Sequence, residues 1–171
     1  MNCRDILSLS AIIVLALTVL PGSAISQQKS LKDQLIGAWT LVSQDEAAPD
    51  GTRRQPYGAN PKGTLILDAS GRYSFTTVKA DRPKLSANRD ARNDATTVEL
   101  GAAALGFEAN FGTWSVSETD KVLIRRLEGA LIPNNEGSET RASIILTGDE
   151  LKLVQTRRGG GSTDRVYKRA N

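Results

Sequence analysis

Hydrophobic and polar residues alternate with a period of two along most of the chain, and this pattern predicts strands. The alternation marks eight segments, at residues 38–43, 63–68, 72–79, 106–118, 121–129, 138–147, 150–156 and 163–169. Turn-forming residues such as Ser70-Gly71 and Gly148-Asp149 separate several of them. Because successive strand residues point to opposite faces, the pattern predicts an antiparallel sheet with one buried face.

Two short segments instead show helical signals. Residues 29–36 form an amphipathic lead-in to the first strand. Between the third and fourth strands, Thr96 and Glu99 have the spacing of a capping box, and Gly106 can end the helix that follows. Residues 80–93 are charged and poor in apolar side chains, which indicates a surface excursion.

The order of the strands favours a closed sheet. Sequential hairpins leave the first and last strands with one unpaired edge each, and closing the sheet on itself removes both edges. We therefore predict an all-β fold, an up-and-down antiparallel β-barrel of about eight strands. The interior of such a barrel is filled by side chains or holds one small ligand. Gly37 permits a tight turn before the first strand, and Trp39 is predicted to plug one end of the barrel.

The first residues have the layout of a secretory signal. Arg4 precedes an apolar run at 6–20, and Pro21, Gly22 and Ala24 follow it. A membrane-spanning helix needs about 20 apolar residues, so cleavage is favoured over the alternative of an uncleaved anchor. We predict a signal peptide at 1–24, a barrel domain at 25–171, and a periplasmic or secreted protein that does not contact the membrane after cleavage.

Composition excludes several kinds of chemistry. The 171 residues include no histidine, and Cys3 is the single cysteine. Ser-His and Cys-His nucleophile pairs and histidine zinc sites are therefore excluded, and we predict no metal and no cofactor. The formal net charge of +3 is too small an excess to indicate nucleic-acid binding. We expect a monomer.

Several stretches together resemble the bacterial lipocalin-like domain family, of the calycin type. They are residues 35–43, 56–66 and 111–116, which read LIGAWTLVS, PYGANPKGTLI and FGTWSV. The resemblance implies a small barrel with a central cavity, covered at its mouth by the loop around Tyr57. It also implies that an arginine of the last strand, Arg169 or Arg165, stacks on Trp39. The family's usual histidine pair is replaced here by Arg125-Arg126.

Aromatic side chains are candidates for the cavity wall. Tyr73, Phe75, Phe107 and Phe111 form a stripe across the third and fourth strands, and Trp114 follows in the fourth. Ligand sites are mostly apolar with a few placed polar groups, so Tyr73, Phe75, Phe111 and Trp114 are predicted to contact a ligand. The alternative is that they are ordinary core.

Two arginines interrupt apolar strands. Arg125 shares a strand face with Leu127, and Arg141 lies in the largely apolar segment at 138–147. An unpaired buried guanidinium is costly, so each is predicted to meet an anionic group of a ligand. The alternatives are neutralisation by Glu128 or Glu139, or an inverted strand that leaves Arg125 in solvent.

These observations favour an exported carrier or sensor rather than an enzyme. Its ligand would be a small hydrophobic or amphipathic molecule that can carry an anionic group. One alternative is an isomerase or cyclase that uses Glu99, Glu108 or Glu128 as its base. The other is a filled barrel that acts as an envelope interaction protein through its loops.

Overall fold

The strands of the protein follow the predicted order. A computed structural model describes residues 29–86 and 94–170; the predicted signal peptide and positions 87–93 of the predicted excursion lie outside these ranges. The strands are β1 Gly37–Ala47, β2 Arg53–Arg54, β3 Lys62–Leu67, β4 Arg72–Val78, β5 Phe107–Ser117, β6 Val122–Ala130, β7 Glu139–Thr147, β8 Glu150–Thr156 and β9 Ser162–Arg169. The helical elements described are α1 Leu31–Leu35, α2 Thr97–Leu105 and a 3-10 turn at Pro133–Asn135.

The sheet is closed, as predicted. The eight long strands pair antiparallel in sequence order, and β1 also pairs with β9, where Trp39 lies opposite Arg169 and Glu46 opposite Thr163. The two-residue β2 pairs only with the end of β1. Each long strand therefore has two neighbours, which removes the exposed sheet edges and confirms the antiparallel barrel of about eight strands.

The helix between β4 and β5 begins with the predicted capping box. The Thr96 hydroxyl accepts from the Glu99 amide at 3.3 Å, and the Glu99 carboxylate accepts from the Thr96 amide at 2.9 Å. A hydrogen bond from the Ser86 hydroxyl, together with those from Thr96, lowers the pKa of Glu99 to about 2. None of the residues of α2 is buried.

The closed end of the barrel is a dense core around Trp39. This side chain is fully buried, and its indole N–H donates to the Leu35 carbonyl at 2.8 Å. The Arg169 guanidinium carbon lies 4.2 Å from the Trp39 ring centroid, and its Nη2 donates to the Gln34 carbonyl at 2.8 Å. Gly37, with φ of +133°, makes the turn between α1 and β1. Of the two arginines expected to stack on Trp39, it is therefore Arg169 that does so.

Helix α1 covers this end. The Glu118 carboxylate accepts from the amides of Leu31 and Lys32, both at 2.9 Å, and so fixes the start of the helix to the β5–β6 turn. Trp114 belongs to the same core and is 4% exposed. Its indole N–H donates to the Asp68 carbonyl at 2.9 Å. The Lys32 ammonium lies 5.8 Å from its ring centroid. The prediction that Trp114 lines the cavity is therefore wrong.

A bulge in β1 changes which side chains point inward. The pairing with β9 shifts between Leu41 and Ser43, so Val42 is exposed and Gln44, rather than Ser43, is buried. This shift places an amide side chain in the interior where regular alternation with Trp39 predicts Ser43.

Two predicted cavity residues lie on the outside of the barrel. Phe111 is 51% exposed and covers Gly129, where an added Cβ would collide with the ring. The Arg141 side chain is 57% exposed and pairs with Glu139 at 2.9 Å, because Ala142 and its alternate neighbours take the inward face of β7. The prediction that Phe111 faces a ligand inside the barrel is wrong. Arg141 borders the cavity only at its mouth, with its side chain directed outward and paired with Glu139.

Candidate ligand-binding cavity

The half of the barrel opposite α1 holds a cavity of about 1060 Å³ that is open to solvent. Its mouth lies among the β1–β3, β4–β5, β6–β7 and β8–β9 connections. Strand directions place Arg125, in the middle of β6, deepest on the wall. Gln44, Glu108 and Arg165 lie within three residues of the mouth ends of β1, β5 and β9, and Leu131 follows β6 at the mouth. The barrel is therefore hollow, which opposes the alternative of a filled barrel.

Arg125 lies on the cavity wall and is almost completely buried. It is 5% exposed, and its guanidinium carbon lies 5.4 Å from the Tyr73 ring centroid and 5.2 Å from that of Phe75. Within residues 29–86 and 94–170, its guanidinium makes no hydrogen bond and no ion pair. Burial lowers the pKa of Arg125, and the charge of Arg165 lowers it further, but a guanidinium stays protonated in proteins. Arg125 is thus a largely buried cation with no acceptor among the residues that the structure describes.

Arg165 is equally buried but has partners. It is 7% exposed, its Nε donates to the Gln44 amide oxygen at 3.0 Å, and its Nη2 lies 3.3 Å from Glu108 Oε2. Its guanidinium carbon lies 5.1 Å from the Phe75 ring centroid. Glu108 therefore forms an ion pair with Arg165, whereas Arg125 has no ion pair among the described residues and Glu108 acts on it only at longer range.

Tyr57 connects the β1–β3 loop to the cavity. Its hydroxyl donates to Glu108 at 3.4 Å, across the mouth from the loop to β5. Burial raises the pKa of Tyr57 to about 12, and the negative charge of Glu108 contributes, so the hydroxyl keeps its proton. The loop around Tyr57 therefore contacts the cavity wall, in the place where the resemblance implied a cover.

Two further hydroxyl groups near Arg125 are buried without partners. Among the described residues, the Thr140 and Tyr167 hydroxyls have no hydrogen-bond partner. Thr140 lies directly opposite Arg125 in the β6–β7 pairing. Burial raises the pKa of Tyr167 to about 12, so it too remains protonated, and Arg165 and Arg125 are close enough to act on it electrostatically. Since buried polar groups are normally paired, this region lacks an acceptor.

Two of the predicted aromatic residues pack against the arginines of the site. Tyr73 and Phe75 are buried under the guanidinium groups and do not line the cavity. The Tyr73 hydroxyl donates to the Asn110 side chain at 2.9 Å. The expected ring-lined wall is therefore wrong for both residues, because the arginines cover the rings.

Sequence reasoning placed Arg125 inside but missed Arg165. Arg165 was named only as one of two candidates for stacking on Trp39, whereas Thr163, Arg165 and Tyr167 alternate inward along β9. Arg165 lies two residues before the aromatic Tyr167 and therefore on the same strand face, and this spacing was the signal that could have placed Arg165 inside. Of the three acids proposed as catalytic bases, only Glu108 lines the cavity; Glu128 pairs with Arg72 at 2.7 Å and Glu99 caps α2.

The sequence of residues 36–166 matches the family model of the lipocalin-like domain. The chain belongs to the lipocalin-like domain family. This match covers every strand of the barrel except the end of β9 and confirms the resemblance of its sequence to that family. Comparison with curated proteins finds no match to the chain. No helix within the described ranges is long and apolar enough to cross a bilayer.

Several solved structures are similar to the chain. A redesigned β-barrel has 11% sequence identity and a TM-score of 0.42, over 84% of this chain and all of the other. Fatty-acid-binding protein 1 of Echinococcus granulosus has 15% identity and a TM-score of 0.39, over 81% and 99%. A mutant of the fluorescent protein UnaG has 12% identity and a TM-score of 0.38, over 81% and 98%. At TM-scores below 0.5, these likenesses say nothing about a ligand.

Proposed function

We propose that this lipocalin-like barrel is a carrier or sensor that binds one small amphipathic molecule with its negatively charged group against Arg125. The observation that carries the proposal is the burial of this arginine, only 5% exposed, on a cavity wall without any acceptor among the described residues. A buried unpaired charge costs several kcal/mol, at an order-of-magnitude level, and a bound anion removes most of that cost.

The wall beyond the arginine suits an apolar ligand tail. Along β6 and the loop after it, Leu127, Ala130, Leu131 and Ile132 line the cavity from Arg125 toward the mouth. Drug-sized ligands occupy pockets of roughly 300–1,000 Å³, which is comparable to the 1060 Å³ found here. The charged head of the ligand therefore lies inside and its tail points toward the mouth.

We infer binding rather than catalysis, because Glu108 is the one proposed base on the cavity wall and it is engaged by Arg165. We also infer export to the periplasm or the exterior. The support for export is the sequence at 1–24, with its apolar run followed by a proline and small residues.

Calorimetric titration with dodecanoate tests the proposal. The wild type is expected to bind it, and Arg125→Gln to weaken binding by about 10- to 100-fold, since hydrogen bonds to charged groups contribute about 1.5–3 kcal/mol. Arg141→Gln removes an equal charge from the outside of the barrel and is the matched control. Uncharged 1-dodecanol should not distinguish Arg125→Gln from the wild type.

Two results would contradict the proposal. The first is that the wild type binds neither compound. The second is that Arg125→Gln binds dodecanoate as tightly as Arg141→Gln does, which would mean that the buried guanidinium does not meet the carboxylate.

A further inference from the structure

We propose that Glu108 determines how many negative charges the cavity accepts, so that the ligand is a monoanion with a single carboxylate-like head. This inference rests on the proposed function and concerns the same cavity. It depends on three charged side chains of the cavity wall, Arg125, Arg165 and Glu108, which we call the inner charge cluster.

The two arginines of the inner charge cluster are neighbours. Their guanidinium carbons lie 5.2 and 5.1 Å from the centroid of the same ring, that of Phe75. Two positive charges in one small cavity would attract a headgroup with two negative charges, such as a malonate. Glu108 changes this balance, because its carboxylate lies 3.3 Å from Arg165 and leaves one uncompensated positive charge, on Arg125.

Several other charged groups border the cavity nearer its mouth and are paired with one another. Glu46 lies 2.6 Å from Arg54 and 2.7 Å from Arg157, and Glu139 pairs with Arg141 at 2.9 Å. These pairs occur where β1 and β8 end and β7 begins, outside the inner charge cluster. A ligand head that reaches Arg125 therefore meets the field of the cluster more strongly than that of the rim.

Glu108 is close enough to repel a second negative charge. Its oxygens lie 3.3 and 3.5 Å from Arg165 Nη2, and the Tyr57 hydroxyl is 3.4 Å away. Charge-assisted hydrogen bonds are typically about 2.7–2.9 Å, so these contacts only partly offset the carboxylate charge. In a cavity of lower dielectric than water, an anion placed next to this carboxylate is repelled more strongly than in bulk solvent. A dianionic head would need to displace Glu108 from Arg165.

Replacing the glutamate by its neutral isostere tests the inference. Dodecanoate carries one carboxylate, and dodecylmalonate carries two on one carbon of a similar tail; both are titrated at a pH where all carboxyls are ionised. We expect the wild type to prefer dodecanoate, and Glu108→Gln to shift the affinity ratio toward dodecylmalonate by about tenfold or more, equivalent to about 1.4 kcal/mol.

Two further variants make the test specific. Glu139→Gln removes one negative charge from the rim and should keep the wild-type ratio. Glu108→Gln/Arg165→Gln removes both members of the pair, leaves one positive charge, and should restore the preference for dodecanoate. Thermal unfolding of each variant checks that it is folded; if Glu108→Gln is not, Arg165→Gln replaces it and should weaken dodecanoate binding, because Glu108 is then unpaired.

The results separate the two proposals. Suppose that the wild type binds dodecanoate through Arg125 but Glu108→Gln leaves the ratio of dodecanoate to dodecylmalonate affinity unchanged. Then the role proposed for Glu108 is wrong, while the proposed carrier function stands. The same conclusion follows if Glu139→Gln shifts the ratio as much. If neither acid binds the wild type, the proposed function itself fails.

Discussion

The two ends of the barrel are built from the same strands but differ in how their polar groups are paired. At the closed end, the indole N–H groups of Trp39 and Trp114 both donate to backbone carbonyls. Toward the mouth, the Thr140 hydroxyl lacks a partner among the described residues, and Arg125 has no acceptor there. The cavity wall therefore carries polar groups that a molecule from outside can pair.

A pair of arginines shows the difference most directly. Arg169 stacks 4.2 Å from the Trp39 ring and also donates to two carbonyl oxygens. Arg125 lies at 5.2 Å from the Phe75 ring without an acceptor among the described residues. Aromatic rings attract the charge of a guanidinium but leave its N–H groups unpaired. Arg169 therefore stabilises the fold, whereas the burial of the unpaired Arg125 opposes folding at a cost that a ligand can offset.

The largest expected effect is the loss of the closed-end core. Trp39→Ala removes a fully buried ring and is expected to lower the free energy of unfolding by about 3–5 kcal/mol. Denaturant titration measures it. Phe111→Ala, which removes a half-exposed ring on the outside, is the control and should cost less than half as much. Equal losses would contradict the view that the closed end carries the stability.

Replacing the buried arginine should leave the free energy of unfolding unchanged or raise it. Arg125→Met keeps the volume and removes the unpaired charge, so the ligand-free protein is expected to be as stable as the wild type or more stable by up to about 3 kcal/mol. Arg141→Met, on the exposed face, should change stability by no more than about 0.5 kcal/mol. Denaturant titration of both variants would show the idea to be wrong if Arg125→Met unfolded more easily.

A smaller loss is expected from the arginine of the closed end. Arg169→Met removes the stacking on Trp39 and the hydrogen bonds to two carbonyls, which should lower the free energy of unfolding by about 1–3 kcal/mol. The same titration measures it. A loss no larger than that of Arg141→Met would mean that Arg169 does not differ from a surface arginine.

The smallest effect concerns the start of α2, near the mouth. The pKa of Glu99 is about 2 in the folded protein, below its ordinary value of 4.5. Because the folded pKa is the lower one, its contribution to stability is present above pH 4.5 and is lost as the pH falls toward 2. NMR titration of the Glu99 carboxyl should show this low pKa. In Thr96→Ala/Ser86→Ala the pKa should return toward 4.5; an unchanged value would contradict the hydrogen-bond explanation.

The fold could be predicted because its signals are local. Alternation and turn residues indicated the strands, and the Thr96–Glu99 spacing indicated the helix. The bulge in β1 could not be predicted, since nothing in the sequence around Val42 marks the extra residue. It is set by pairing with β9, far along the chain.

The site was harder to predict because the cavity is polar. In β5 the half-exposed Phe111 lies on the outer face, whereas Glu108 and Asn110 line the cavity, so a rule that buries hydrophobic residues misplaces this part of the strand. Arg125 was placed correctly because its neighbours on the same face are leucines. Arg165 follows a glycine-rich, basic segment typical of surface loops, and its role depends on contacts with other strands.

The pairing of β1 with β9 also constrains how the chain folds. Trp39 can pair with Arg169 only after every intervening strand has been synthesised. The barrel is therefore closed by contacts between residues very distant in sequence. Proteins dominated by such contacts fold slowly, in about milliseconds to seconds. Until then both terminal strands offer free hydrogen-bonding edges, and a nascent or heated chain is at risk of aggregating through them.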